Sequence, residues 1–241
     1  MEYEMIEIPV TDMRGSENLF NLDEHGFAIF KVDAGLSYDD YHNSEQLSKF
    51  FRKLEAVLKD HLGVSRVDVF RHGMRKRDER WPTPKWHTYT HEQPTTVVHI
   101  DAAPEGTRDE IRRQLDEDAD ELLKRRYQWF NFWKPLKGPV NDWPLLLCDA
   151  STVDRRKDIE VADLLYPDYA TENSQLYCST AYKWYYLSNQ TVDEVLVFKQ
   201  MDSLEGSYPG VPHCSCENPL TPKGEAPRES IEVRAMAYYD S

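Results

Sequence analysis

The stretch Arg228-Glu229-Ser230-Ile231-Glu232-Val233-Arg234-Ala235-Met236-Ala237-Tyr238-Tyr239 decides the fold class. Ile231, Val233, Ala235 and Ala237 alternate with Ser230, Glu232, Arg234 and Met236, and a period of two is the signature of a strand with two unlike faces. One face is apolar; the other carries Arg228, Ser230 and Arg234. Working back along the chain, short aromatic and β-branched runs recur at Glu194 to Gln200, Ala181 to Leu187, Trp143 to Cys148 and Tyr127 to Trp133, each bounded by Pro, Gly, Asn or Asp. Many short strands with turn signals between them predict a β-sandwich or barrel.

Towards the N-terminus the pattern continues with extended segments at Ile6 to Val10, Phe27 to Val32, Val67 to Val69 and Thr95 to Asp101. Arg71 to Arg80 reads as a basic, loop-like stretch, and Trp81-Pro82-Thr83-Pro84 forbids a regular helix. Two helices interrupt the strands. Between Asn43 and His61, Leu47, Phe50, Phe51, Leu54, Val57 and Leu58 recur at three and four residues, with Gly63 as the stop. The segment 107–127 is rich in charge with a thin apolar stripe, Ile111, Leu115, Leu122 and Leu123, and predicts an exposed inserted helix. Lys134 to Asp142 and Pro209 to Pro227 read as loops. The sum is a mainly β chain with flanking helices (α+β), and its 241 residues predict a single domain over 1–241.

Charge narrows the partners. With 29 basic against 43 acidic residues the net charge is −14, which disfavours a nucleic acid or an anionic membrane. No apolar run approaches the roughly 20 residues of a membrane helix, and Glu2, Glu4 and Glu7 stand where a signal peptide carries positive charge. A cytoplasmic protein is expected, with Cys148, Cys178, Cys214 and Cys216 reduced.

His99 and Asp101 lie two apart in Thr96-Val97-Val98-His99-Ile100-Asp101, so on a strand both side chains enter one cavity. The spacing alone decides nothing, because composition supplies about one such His-x-acid pair by chance. A third ligand candidate, His213, follows in Gly210-Val211-Pro212-His213. Two histidines and one carboxylate, leaving open positions, are what non-haem iron(II) oxygenases require. Arg228 beside Ser230 suits the distal carboxylate of a dicarboxylic cosubstrate such as 2-oxoglutarate, since a guanidinium binds a carboxylate bidentately. Taken singly, His99 or His213 is more often a hydrogen-bonded structural residue, and Arg228 a surface one. A competing reading is a zinc or copper site built from His213, Cys214 and Cys216, although the second Cys-x-x-Cys pair of a closed zinc site is missing. A jelly-roll metal-binding or scaffold protein without turnover is the non-enzyme alternative. No Gly-x-Ser-x-Gly elbow supports a hydrolase.

Ordered segments carry a more specific likeness: Leu22 to Phe27, Val98-His99-Ile100-Asp101 with Pro104, Asn131-Phe132-Trp133-Lys134-Pro135-Leu136, Gly138 to Leu145 with Cys148-Asp149, Trp184-Tyr185-Tyr186, Phe198-Lys199 with Asp202-Ser203, Pro212-His213, and Pro227 to Arg234. In these the chain resembles the fungal hydroxylase/desaturase family of non-haem iron(II), 2-oxoglutarate-dependent oxygenases, which includes a gibberellin desaturase and is similar to a bacterial cephem 7-alpha-hydroxylation component. The resemblance implies a double-stranded β-helix (jelly-roll, cupin-like) core, Fe(II) on His99, Asp101 and His213, and 2-oxoglutarate and O2 as cosubstrates. It implies hydroxylation, desaturation or oxidative cyclisation of a small molecule in specialised (secondary) metabolism. A monomer or homodimer is expected. Arg228 or Arg234, with Ser230 and Asn131, would serve the cosubstrate, and Trp133 and Trp184 would face the interior. Two departures bear on substrate: Ala102 stands where the family usually has glutamine, and Tyr182-Lys183 where it usually has His-Arg.

Overall fold

The computed structural model describes residues 4–82, 88–165, 170–207 and 210–240. Among the described residues twelve strands run in chain order: β1 Val10–Asp12, β2 Phe27–Lys31, β3 Arg66–Lys76, β4 His99–Ile100, β5 Tyr127–Pro135, β6 Leu145–Cys148, β7 Ile159–Leu165, β8 Ala170–Leu176, β9 Trp184–Tyr186, β10 Glu194–Asp202, β11 His213–Ser215 and β12 Glu229–Tyr238. Helix α1 spans Ser44–Leu62, α2 Pro104–Leu115 and α3 Ala119–Leu122. The strands form a five-stranded sheet, β2-β10-β5-β12-β3, and a seven-stranded sheet, β1-β9-β6-β11-β4-β8-β7. Two facing sheets with sequence-distant neighbours are the jelly-roll expected from the chain.

The alternation in β12 is realised on both of its faces. Ile231, Val233, Ala235 and Ala237 join Phe130, Phe132, Val195 and Val197 under α1, whose Leu47, Phe50, Leu54 and Leu58 are buried. The helix begins where its sequence says it should: the Asn43 side chain accepts from the amides of Glu45 and Gln46, and Gly63, at φ 66°, closes it in the left-handed conformation that glycine takes without a Cβ penalty. Between the sheets, Trp133, Phe198, Leu196, Leu145 and Leu147 form the inner core.

Lys134 is a buried cation within the α1 side of the core, 2% exposed, donating to the Tyr41 hydroxyl and lying 4.8 Å from the Tyr41 ring centre and 5.6 Å from that of Phe50. Burial pushes its pKa down to about 8. Because the unfolded chain holds that proton up to its ordinary value of 10.5, the cost of burying the charge is fully present below pH 8 and is relieved as pH rises from 8 towards 10.5. Urea denaturation at intervals from pH 8 to 10 is expected to show stability rising relative to Lys134→Met; parallel curves for the two proteins would refute it.

Several sequence readings are corrected. The first strand begins at Val10, where Ile6 to Val10 was expected to end. Arg71 to Lys76 is not a loop, because pairing with β12 from Glu229↔Lys76 to Tyr238↔Arg66 keeps β3 extended. The strand expected over Thr95 to Asp101 is only His99–Ile100. The inserted helix starts earlier, at Pro104, and breaks at Asp116, whose φ is 45°; Tyr127 already belongs to β5. β7, β8 and β11 were not expected. Of the expected loops, Thr83, Pro84 and Pro209 lie outside the described residues, and His213 to Ser215 is strand.

Candidate metal centre

β4 and β11 are antiparallel neighbours with His99 opposite His213, so one cross-strand pair supplies both imidazoles, their ring centres 4.4 Å apart. Asp101 is one residue past the end of β4. Its Oδ1 is 3.4 Å from His99 Nε2 and its Oδ2 is 3.9 Å from His213 Nε2. Each histidine turns its other nitrogen to a backbone carbonyl, His99 Nδ1 to Val97 at 2.8 Å and His213 Nδ1 to Val211 at 3.1 Å. Backbone partners of that kind fix the ring and leave Nε2 as the ligand atom. Among the described residues, these three make up the group whose ligand atoms converge within 4.8 Å.

The protonation states suit a cation. Burial and the neighbouring His99 push His213 down to about 3, so it is neutral at ordinary pH. Burial works against ionisation of Asp101, yet Arg234, His99 and His213 together hold it well below the usual carboxylate range. Its Oδ2 takes Asn131 Nδ2 at 2.6 Å and Arg234 Nη2 at 3.1 Å, which leaves Oδ1 on the histidine side. Trp129 Nε1 in turn donates to Asn131 Oδ1 at 2.9 Å. Such outer partners commonly set metal affinity by 10–100-fold. Asn131→Ala is therefore expected to weaken iron(II) binding by about tenfold or more, measured by anaerobic titration; an unchanged affinity would remove Asn131 from the site.

Gln200 was not singled out from sequence, yet its Oε1 accepts from the Asp101 amide at 2.7 Å while its Nε2 donates to the carbonyls of Lys199 and Val211. One side chain thus ties both ligand-bearing segments to β10. Its only sequence signal is a polar residue ending the apolar run of β10.

At the other end of the same cavity sits Arg228, 2% exposed. Nη1 donates to the Trp143 carbonyl and to Ser215 Oγ at 2.7 Å. The guanidinium lies 5.2 Å from the Trp133 ring centre. Its Nε is buried without a hydrogen-bond partner. Asp142 is near, but both its oxygens are taken by Arg77, at 2.6 and 2.9 Å, and Oδ2 also accepts the Arg228 amide. Burial, with Arg75 alongside, pushes Arg228 down to about 9. The guanidinium is thus desolvated and has no carboxylate of its own, and a carboxylate is the partner that compensates such a charge best. Ser230, 1% exposed, lines the same cavity with Trp133, Glu232 and Arg234. The two arginines differ: Arg234 is engaged by Asp101 and Glu232, whereas among the described residues no carboxylate oxygen bonds the Arg228 guanidinium.

The remaining predicted residues fall elsewhere. Tyr182 and Trp184 pack on the outer face of the seven-stranded sheet with Leu146, Cys148 and Cys214, and Tyr182 donates to the Tyr177 carbonyl; the phase of β9 sends Tyr185 inward instead. Ala102 packs with Ile111, Trp129 and Met236. The zinc or copper reading is also corrected. Cys214 follows His213 on a strand, so its side chain turns to the opposite face, into the outer cluster, where burial pushes the thiol up to about 12.

Comparison with known proteins agrees with this geometry. A family described as "Oxidoreductase/YMDC permease-like domain" matches residues 1–238. The Fe(II)/2-oxoglutarate-dependent dioxygenase nvfI of Aspergillus novofumigatus is 34% identical over 235 residues, covering 94% of this chain and 81% of that protein. The chain belongs to this dioxygenase family. The hydroxylase/desaturase CTB9 of Cercospora beticola is 31% identical, over 99% of this dioxygenase and 78% of its own length. The solved structure of the iron and alpha-ketoglutarate-dependent endoperoxidase NvfI superposes with a TM-score of 0.82 at 30% identity, covering 95% of this chain and 84% of that one. Among the described residues of the dioxygenase, no helix is long and apolar enough to cross a membrane.

Proposed function

We propose that this protein is an Fe(II)/2-oxoglutarate-dependent oxygenase that oxidises a small molecule by hydroxylation, desaturation or oxidative cyclisation in specialised metabolism. The observation that carries the reading is the pairing, within one cavity, of a His-Asp-His triad with a buried arginine that has no carboxylate of its own. His99, Asp101 and His213 would hold the iron, and Arg228 with Ser230 the distal carboxylate of 2-oxoglutarate. When bound, iron and 2-oxoglutarate supply the oxidising power from O2, with succinate and CO2 as coproducts.

The chain's own part is placement and electrostatics. Val97 and Val211 orient the imidazoles, while Asn131 and Arg234 hold one oxygen of Asp101 and leave the other for the metal. Trp133 walls the cosubstrate end and excludes water from it. The whole 241-residue chain acts as one oxygenase domain, in the cytoplasm, on a small-molecule substrate and without a nucleic-acid or membrane partner.

The test is spectroscopic. Anaerobic addition of iron(II) and 2-oxoglutarate is expected to raise a weak visible charge-transfer band in the wild type and none in His99→Ala. A wild-type protein without the band, whatever metal it binds, would rule the reading out.

A further inference from the structure

The inner faces of β12 and β3 continue past the metal. Two residues beyond Arg234, or roughly 7 Å along a strand, Met236 points into a second cavity, bounded by Phe70 and Tyr238 on the barrel and by Ile111 and Leu115 of α2. The metal cavity is about 30 Å³ and this chamber about 230 Å³. The chamber is the roomier of the two.

Its position comes from local structure. Register pairs Arg234 with Arg71 and Ala235 with Val69, so Phe70 is the extra residue of a β-bulge, and bulges re-aim the side chains they carry. The Phe70 ring meets Trp129 edge-on, centres 4.9 Å apart, and Trp129 bonds the Asn131 that holds Asp101. One side of the chamber is thus continuous with the layer supporting the metal ligands. The other is α2, seated by Gly106, whose amide donates to Glu172 and where a Cβ would meet the Glu172 backbone at 3.2 Å.

The rim shows what fits. Arg66 Nε pairs with Asp68 Oδ2 at 2.7 Å. Glu110 is engaged by Arg113 and by Gln114 at 2.9 Å, with Arg71 at 3.8 Å. The charges of the lining satisfy one another, and its other side chains, Gln114 apart, are aromatic or aliphatic. An ionic ligand would find no counter-charge to spare there, whereas an apolar body gains by burial.

We infer that the chamber between α2 and the β3–β12 bulge holds the carbon skeleton of the substrate, and that this skeleton is uncharged and apolar. The assignment rests on the oxygenase reading. It makes Phe70, Leu115 and Met236 specificity-determining residues.

The uncharged fluorophore N-phenyl-1-naphthylamine tests it. Metal-free wild type and a surface control, Leu220→Arg, are expected to bind the dye saturably and alike. Leu115→Arg, which puts a cation in the chamber from a half-exposed position, is expected to bind it at least tenfold more weakly. In a second arm, the dye is added to protein carrying iron(II) and 2-oxoglutarate without O2, where it is expected to shift the visible band of the wild type but not of Leu115→Arg. Absence of saturable binding, equal binding by Leu115→Arg, or binding that leaves the band unmoved would each overturn the chamber's role. A wild type lacking the band altogether would overturn the oxygenase reading, and this assignment with it, whatever the dye does in the metal-free arm.

Discussion

Arg228→Met is expected to yield a protein more stable without ligand than the wild type and insensitive to 2-oxoglutarate. The guanidinium is buried, its nearest carboxylate, Asp142, is spent on Arg77, and its Nε has no partner. Removing a poorly compensated buried charge while keeping the volume is often stabilising, even after two acceptors, the Trp143 carbonyl and Ser215 Oγ, lose their donor. A gain of about 1–3 kcal/mol is expected for the ligand-free protein. With iron(II) present, 2-oxoglutarate at a hundred times its dissociation constant should stabilise the wild type by about 2.7 kcal/mol and the variant not at all. The pH dependence has a definite sign. The folded-state pKa of Arg228 lies near 9, below the ordinary 12.5, so the penalty is fully present below pH 9 and is relieved above it; the wild type should close the gap on the variant as pH climbs from 9. Paired urea denaturations, with and without cosubstrate, measure all of this. A variant that is both weaker than the wild type and still stabilised by 2-oxoglutarate would assign Arg228 to structure alone.

Gly210→Ala should be the most damaging single-methyl change in the site. A Cβ there would lie 2.1 Å from the Gln200 carbonyl oxygen and 2.5 Å from Ile100 Cγ2. Neither neighbour can give way locally, since Gln200 holds the Asp101 amide and Ile100 stands between the ligands His99 and Asp101. Overpacking against side chains costs about 1–3 kcal/mol, and contact with backbone puts this case at or above the upper end. Chemical denaturation should show that loss, and iron(II) titration of the fraction still folded should show weaker binding than in the wild type. Normal stability with normal iron affinity would mean that the segment shifts freely.

How far the sequence carries can be judged residue by residue. Residues 231–237 were legible because strict alternation has one structural meaning, and His99 and Asp101 because residues two apart share a side. β7 and β8 were not: Ile159–Leu165 mixes acids into its alternation, and Ala170–Leu176 is mostly polar, so neither reads as half-buried. The break of the inserted helix at Asp116 depends on a positive φ that composition does not announce. Trp184 was expected to face the interior because of the family segment it lies in, but burial has two sides in a sheet, and only the phase of β9 decides between them. The supports of Arg228 were hidden for another reason. Asp142, Trp143 and Ser215 are 13 to 86 residues from it in the chain, and no local pattern records that they meet.

The place of β12 has a consequence for biosynthesis. Of the strands described it comes after all the others in chain order, yet in the sheet it lies between β5 and β3, not at an edge. Until residues 228–238 emerge, the nascent chain has a gap inside this sheet, with β5 and β3 each left with an unpaired border. A translation product released near residue 226 would therefore lack the middle of the enzyme, and the cell gains no partial activity from an unfinished copy.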